Sequence, residues 1–296
     1  MSATPHRPLA AALWMGGAIF SFTAMAVAGR QVAATHDTFE IMLWRSAVGF
    51  LVVVAVGAAL GRLGAVRADR LGSHVIRNLF HFTGQNLWFW ALTMIPLAQV
   101  FALEFTSPIW VILLSPLVLG ERLTRPRLIA AALGFAGILI VARPDFAALD
   151  PGVLAAAGSA LFFAATTLMT KRLTRGEHIV SILFWLTLMQ FALGLVTAGW
   201  DGRIALPTAA TLPWIVLIGL CGILAHLCLT TALSLAPASF VVPIDFIRLP
   251  VIAAVGMALY DEPVDLLVML GAAVIFFGNW INIRAETGRR ATTRTR

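Results

Sequence analysis

ALTMIPLAQVFALEFTSPIWVILLSPLVLGER at residues 91–122 and ALSLAPASFVVPIDFIRLPVIAAVGMALYDEP at residues 232–263 are one text written twice, 141 positions apart. Without a gap, Ala91 falls on Ala232, Pro96 on Pro237, Glu104 on Asp245, Phe105 on Phe246 and Glu121 on Glu262. The same shift carries Gly17 onto Gly158, Phe22 onto Phe163, Trp44 onto Trp185 and Gly137 onto Gly278. The whole chain is therefore a duplicated unit of roughly 140 residues, and long-period self-similarity of this kind dictates the architecture before any single residue does.

Composition says which solvent surrounds that unit. Of the 296 residues, 60% are apolar and 12% charged, far too few polar groups to clothe a water-soluble domain of that size. The apolar residues gather into ten runs, most of about 20 residues, each able to cross ~30 Å of hydrocarbon as a helix. They lie near 9–28, 39–60, 73–95, 97–119, 127–142, 152–170, 179–199, 211–235, 238–259 and 264–283. Alternating ten-residue segments, the mark of a membrane β-barrel, are missing. The expected fold is an all-α membrane protein of ten transmembrane helices.

The formal charge of +7 does not indicate nucleic acid, because the basic residues are distributed by loop. With the N-terminus in the cytoplasm, Arg7, Arg62, Arg67, Arg70, Arg122, Arg125, Arg127, Lys171, Arg172, Arg175, Arg284, Arg289, Arg290, Arg294 and Arg296 fall inside. Only Arg30, Arg143 and Arg203 fall outside. That asymmetry is the positive-inside rule, and it places both termini in the cytoplasm. Five helices per copy is an odd number, so the second copy enters the membrane upside down. The domains expected are a first five-helix repeat at 9–142, a second, inverted repeat at 152–283, and a basic cytoplasmic tail at 284–296. Inverted repeats in an apolar chain point to secondary transporters, whose binding site lies between the copies. Residues 9–28 have the look of a signal peptide, but their mate at 152–170 marks a retained helix.

The stretches HVIRNLFHFTGQNLWFWALTMIPLAQ (74–99), LGER (119–122), GFAGILIVARP (134–144) and SLAPASFVVPIDFIRLPVIAAVGMALYDEPVD (234–265) resemble, in that order, the EamA-type branch of the drug/metabolite transporter superfamily. The resemblance spans nearly the entire chain. It implies a ten-helix, two-repeat carrier in a bacterial-type inner membrane. Relatives move amino acids, S-adenosylmethionine, riboflavin and other small metabolites in either direction, so the family leaves the cargo open. Glu104 departs from the family pattern, since many relatives have a small or apolar residue there.

Ionisable side chains at mid-membrane each call for a partner or a wet cavity. Glu104 and Asp245 reach equivalent depths from opposite faces, as a structural ion pair or as groups for cargo binding or proton coupling. Asp245 has Arg248 three residues on, which either pairs with it locally or meets an anionic cargo group. Glu104 has Ser107 at that position and is the candidate for reversible protonation. Arg45, without an acidic residue at helical spacing, is expected to meet Glu104, Asp245 or the cargo. On the third helix Arg77, His81 and Gln85 recur every four residues and Trp88 extends the face. That stripe is either an interhelical hydrogen-bond seam, with Arg77 free to snorkel, or the surface on which His81, Gln85 and Trp88 touch cargo. Gln99, Gln190, His226, Asn279 and Asn282 are expected as polar glue between helices. The substrate-binding candidates are thus Arg45, His81, Gln85, Trp88 and Arg248, with Glu104 and Asp245 as coupling or structural carboxyls.

Pro96, Pro108, Pro116, Pro237, Pro243 and Pro250 cluster in the fourth and ninth helices, bending them around a central cavity or for packing. Cys221 and Cys228, seven apart on one helix, cannot bridge. The histidines show no ligand spacing, so no metal and no cofactor are expected. No GxxxxGK[ST] loop occurs, so ATP is not the direct energy source. The reading is an inner-membrane carrier of a small organic metabolite working by alternating access, proton-coupled or by exchange. A membrane-embedded enzyme or a passive channel is the alternative. Its partners are a small-molecule substrate and the lipid bilayer, not nucleic acid, and the chain acts as a monomer or homodimer.

Overall fold

A computed structural model describes residues 7–119, 125–142, 150–173, 176–235, 244–245, 247–263 and 265–294. The described residues form helices α1 (Pro8–Val32), α2 (Thr38–Ala59), α3 (Leu71–Met94), α4 (Leu97–Glu104), α5 (Ser107–Leu119) and α6 (Arg125–Ala142) in the first copy. The second copy supplies α7 (Pro151–Leu173), α8 (Ile179–Ala198), α9 (Leu212–Leu235), α10 (Arg248–Tyr260) and α11 (Leu266–Arg294). Leu9–Val32, Thr38–Ala59, Pro151–Leu173, Ile179–Ala198 and Leu212–Ala232 are each long and apolar enough to cross a membrane. Leu97–Val111, Ala131–Val141, Arg248–Tyr260 and Leu266–Gly278 are shorter apolar helices. The chain is all-helical and multi-pass. Its surface is inverted relative to a soluble protein: Leu9, Leu13, Phe20, Leu51 and Val196 point outward, while Arg45, Arg77, His81 and Arg248 are buried.

The fourth apolar run, expected as one helix over 97–119, is two. Phe105 and Thr106 separate α4 from α5. Pro108 lacks an N–H, and its ring excludes the carbonyl four residues back, that of Glu104. The Thr106 hydroxyl donates instead to the Leu103 carbonyl at 2.7 Å. The last helix continues its backbone to Arg294, through the segment read as a tail. Pro237, Pro243, Phe246, Glu121, Arg122, Arg143 and Arg175 lie outside the described residues, as do the side chains of Asn279 and Asn282.

Packing between the copies repeats the duplication. The most extensive helix pairs are α1 with α9, α3 with α7, α2 with α8 and α6 with α11. Exchanging the copies turns α1·α9 into α7·α3 and returns α2·α8 and α6·α11 onto themselves. Single bonds obey the same exchange. Trp44 of α2 donates its indole N–H to the Ala205 carbonyl before α9 at 2.9 Å, and Trp185 of α8 donates to the Arg67 carbonyl before α3 at 2.7 Å. Where α6 crosses α11, backbones touch: a Cβ on Gly137 would lie 2.7 Å from the Gly271 carbonyl oxygen, and one on Gly271 2.8 Å from that of Gly137. Small residues at such crossings let dispersion act over two close backbones, the main attraction left when lipid replaces water.

Candidate functional site

Two carboxylates, one from each copy, converge on a single guanidinium. Arg248, at the start of α10, donates from one terminal nitrogen to Glu104 Oε1 and to Asp245 Oδ2, each at 2.9 Å. Glu104 is the last residue of α4, at the break before α5, so irregular backbone stands where the charge is needed. Its other oxygen accepts from the Trp88 indole N–H at 2.8 Å. Three rings enclose the guanidinium carbon: Phe22 at 4.8 Å, Phe101 at 5.0 Å and Phe105 at 5.1 Å. Trp88 in turn packs edge-on against Phe89 and Phe101.

Arginine suits this position and lysine does not. A planar guanidinium stacks against aromatic faces while donating in its plane, and its charge is weakly hydrated. The set is incomplete: Arg248 Nε and Asp245 Oδ1 have no partner among the described residues. A buried pair that leaves lone pairs and protons unsatisfied is a poor device for stability. It is a good device for meeting a ligand whose polar groups complete the set.

Arg45 does not reach either carboxylate. It donates to Gln85 Oε1, with Met42 Sδ at 3.4 Å, because its helix α2 packs on α8 and α9, away from α4 and α10. Arg77 does not snorkel either; it is 3% exposed and its Nε donates to Thr170 Oγ1 of α7 at 2.8 Å. His81 lies against Phe163 and, at 5.0 Å between ring centroids, against His226. Phe22 touches both Arg248 and His226, so a single ring separates the charged cluster from this second, polar one. Of the sequence candidates, Glu104, Asp245, Arg248 and Trp88 form one group, and Arg45, Gln85 and His81 belong to the other. Gln99 and Gln190 do bridge helices, to the Val141 carbonyl at 3.3 Å and the Asn78 carbonyl at 2.9 Å. Both cysteines are free and buried, and no cluster of metal ligands occurs among the described residues.

Sequence reading missed a third group, at the end of the bundle where α1 stops. Arg30 donates to the carbonyls of Leu92 (2.7 Å) and Ile95 (2.8 Å), and to Glu262. Its guanidinium lies 4.8 Å over the Tyr260 ring, and the second Glu262 oxygen accepts from Leu97 N–H at 2.9 Å. Tyr260 also donates to the Val27 carbonyl at 3.3 Å. These contacts tie α1 and the α3–α4 corner of the first copy to the end of α10 in the second. The repeat held a signal for it, since Arg30 and Glu262 are the shift mates of Lys171 and Glu121.

Comparison with known proteins agrees with the duplication. The EamA-like transporter family model matches residues 9–143 and again residues 150–284. A protein named a riboflavin transporter in Rhizobium johnstonii is 31% identical over 293 residues, covering 98% of this chain and 96% of that one. A similarly named protein of Vibrio cholerae is 29% identical over 276 residues, 91% of each chain. An S-adenosylmethionine uptake transporter of Rickettsia conorii is 22% identical over 88% of each. One crystal structure superimposes with a TM-score of 0.67 at 20% identity, covering 95% of this chain and 98% of that one, which shows a shared fold. Relatives of this kind are transporters rather than enzymes. With both halves matched and a 31% relative aligned end to end, the chain belongs to the EamA-like transporter family and carries small metabolites across a membrane.

Proposed function

We propose that the chain is an inner-membrane secondary carrier for a planar, hydroxyl-bearing metabolite of the riboflavin class. It comprises ten spans in two inverted repeats, 9–142 and 152–283, with a basic tail after 284 and both termini cytoplasmic. The exchange symmetry of the helix pairs and the loop charges support that topology. One observation carries the function: shift-mate carboxylates from the two copies share Arg248 beside Trp88 in an aromatic enclosure. A site of this make-up offers ring faces for stacking and carboxylate oxygens that accept from hydroxyl groups. Titration of Glu104, relayed through Arg248 to Asp245, couples cargo to protons. The named cargo of the relatives supplies the class.

Alternating access requires that each end of the bundle close in turn. In this topology the Arg30–Glu262 cluster is a latch at the outer end. The α4–α5 break and Pro108 are the hinge beside the charged cluster. A monomer or homodimer is proposed as the working unit. Reconstituted protein should take up labelled riboflavin with saturation and should show counterflow when preloaded with unlabelled riboflavin. Saturable flux without counterflow, or flux linear in concentration, refutes the carrier in favour of a channel. Saturable counterflow of S-adenosylmethionine with none of riboflavin refutes the cargo.

A further inference from the structure

The polar cluster beside Phe22 contains a donor and an acceptor that are held in place and have no partner among the described residues. Gln190, 2% exposed, donates from its amide nitrogen to the Asn78 carbonyl at 2.9 Å and to Asn78 Oδ1 at 3.2 Å. The Asn78 amide nitrogen is itself committed to the His74 carbonyl at 2.8 Å, so its oxygen must be the acceptor. Both protons of the Gln190 amide are therefore spent on α3, and its oxygen faces elsewhere; that oxygen has no partner among the described residues. Arg45, 8% exposed, is likewise anchored by Gln85, and its Nε–H has no partner among them.

Arg45, Gln190 and His226 all border one void of about 10 Å³ at the crossing of α2, α8 and α9, room for a single water. Around it the copies face each other: Ser46 and Thr187 are shift mates, as are Gly49 and Gln190, and all four line the void. It therefore lies where the two copies meet, the region in which a carrier of this kind holds cargo. Both nitrogens of His81, which packs on His226, are also unpartnered among the described residues. Buried polar atoms are ordinarily satisfied, and a cluster of unsatisfied ones marks where a ligand's polar groups belong.

Resting on the carrier reading above, we propose that this void is a recognition subsite for a planar heterocycle that presents an acceptor and an N–H donor side by side on one edge. Arg45 Nε–H donates to the ring carbonyl or ring nitrogen, and Gln190 Oε1 accepts from the N–H. The edge alone enters the void. The ring body lies among Phe22, His81, His226 and Phe163, which part to admit it. The imide edge of a flavin and the lactam edge of a guanine both have this pattern, whereas a saturated polyol or an aliphatic amino acid does not.

The test is equilibrium binding to the purified full chain in nanodiscs, with riboflavin and 3-methylriboflavin as probes and guanosine and 1-methylguanosine as a second pair. Methylation removes the N–H and leaves the carbonyls. The wild type should bind the methylated member of a pair roughly tenfold or more weakly, the loss expected when a buried acceptor is left unmet. Gln190→Leu should weaken riboflavin by a similar factor while 3-methylriboflavin hardly changes, so that the preference falls to within about twofold. The wild-type comparison stands even where that variant fails to fold. Riboflavin binding that is indifferent to methylation overturns the subsite and leaves the flavin carrier standing. Guanosine binding that is sensitive to methylation, without riboflavin binding, keeps the subsite and refutes the flavin cargo. Binding of neither parent compound overturns both.

Discussion

Replacing Glu262 by glutamine removes one charge from the Arg30 cluster and changes little else. The glutamine oxygen can still accept from Leu97 N–H, and the side chain keeps its length. What is lost is the ionic part of the Arg30 bond between groups only 18% and 14% exposed, so solvent screening is limited. Hydrogen bonds to charged partners contribute about 1.5–3 kcal/mol, and the retained neutral bond recovers part of that. A net loss of about 1–2 kcal/mol from the outer-closed state shifts the equilibrium toward outer-open roughly five- to thirtyfold. The assay is labelling of a single cysteine at Ala253, which borders a cavity of about 80 Å³ behind Glu262, with an impermeant maleimide in intact cells. The background carries Cys221→Ala and Cys228→Ala. The labelling rate should rise by the same factor as the open population. Arg30→Lys should give a rise too, since an ammonium cannot serve two carbonyls, a carboxylate and a ring with a fixed fork. An unchanged labelling rate in a folded Glu262→Gln protein would refute the latch.

Glu104→Gln should abolish pH-driven accumulation in proteoliposomes and spare exchange of cargo for cargo, whereas Asp245→Asn should impair both; full pH-driven uptake by Glu104→Gln would end the coupling role. Trp88→Phe loses the indole bond to Glu104 and should lower cargo affinity about tenfold with normal expression, read by binding titration. Gly271→Ala and Gly137→Ala force a Cβ onto the facing backbone and should lower the melting temperature, while Gly16→Ala, whose Cβ would meet nothing within 4 Å beyond its own helix backbone, should raise it slightly; equal effects would show that the α6–α11 crossing is not tight. Single cysteines near Arg67 or Arg125 should resist impermeant thiol reagents in intact cells and those near Asp37 or Asp201 should react; the reverse pattern would refute the cytoplasmic termini, and labelling at both sets would refute the inverted two-repeat topology.

Linear order was enough for the all-helical class and the duplication, though not for the break that splits the fourth run into α4 and α5. Apolar runs and a shift of 141 positions are properties of one segment at a time, so they are legible without a partner in view. Spacing along one helix is equally local, which is why the Asp245–Arg248 pair could be read three residues apart. Tertiary structure alone decided who meets whom across helices. Arg248 reaches Glu104 across 144 positions, Arg45 settles on Gln85 across 40, and Arg30 closes on Glu262 across 232. A buried guanidinium needs some acceptor, and the sequence offers several of nearly equal chemistry. Which one it takes is set by the rotation and depth at which apolar faces and glycine crossings lock the helices. That choice made two shift-mate carboxylates, read only as lying at equivalent depths from opposite faces, acceptors of one arginine.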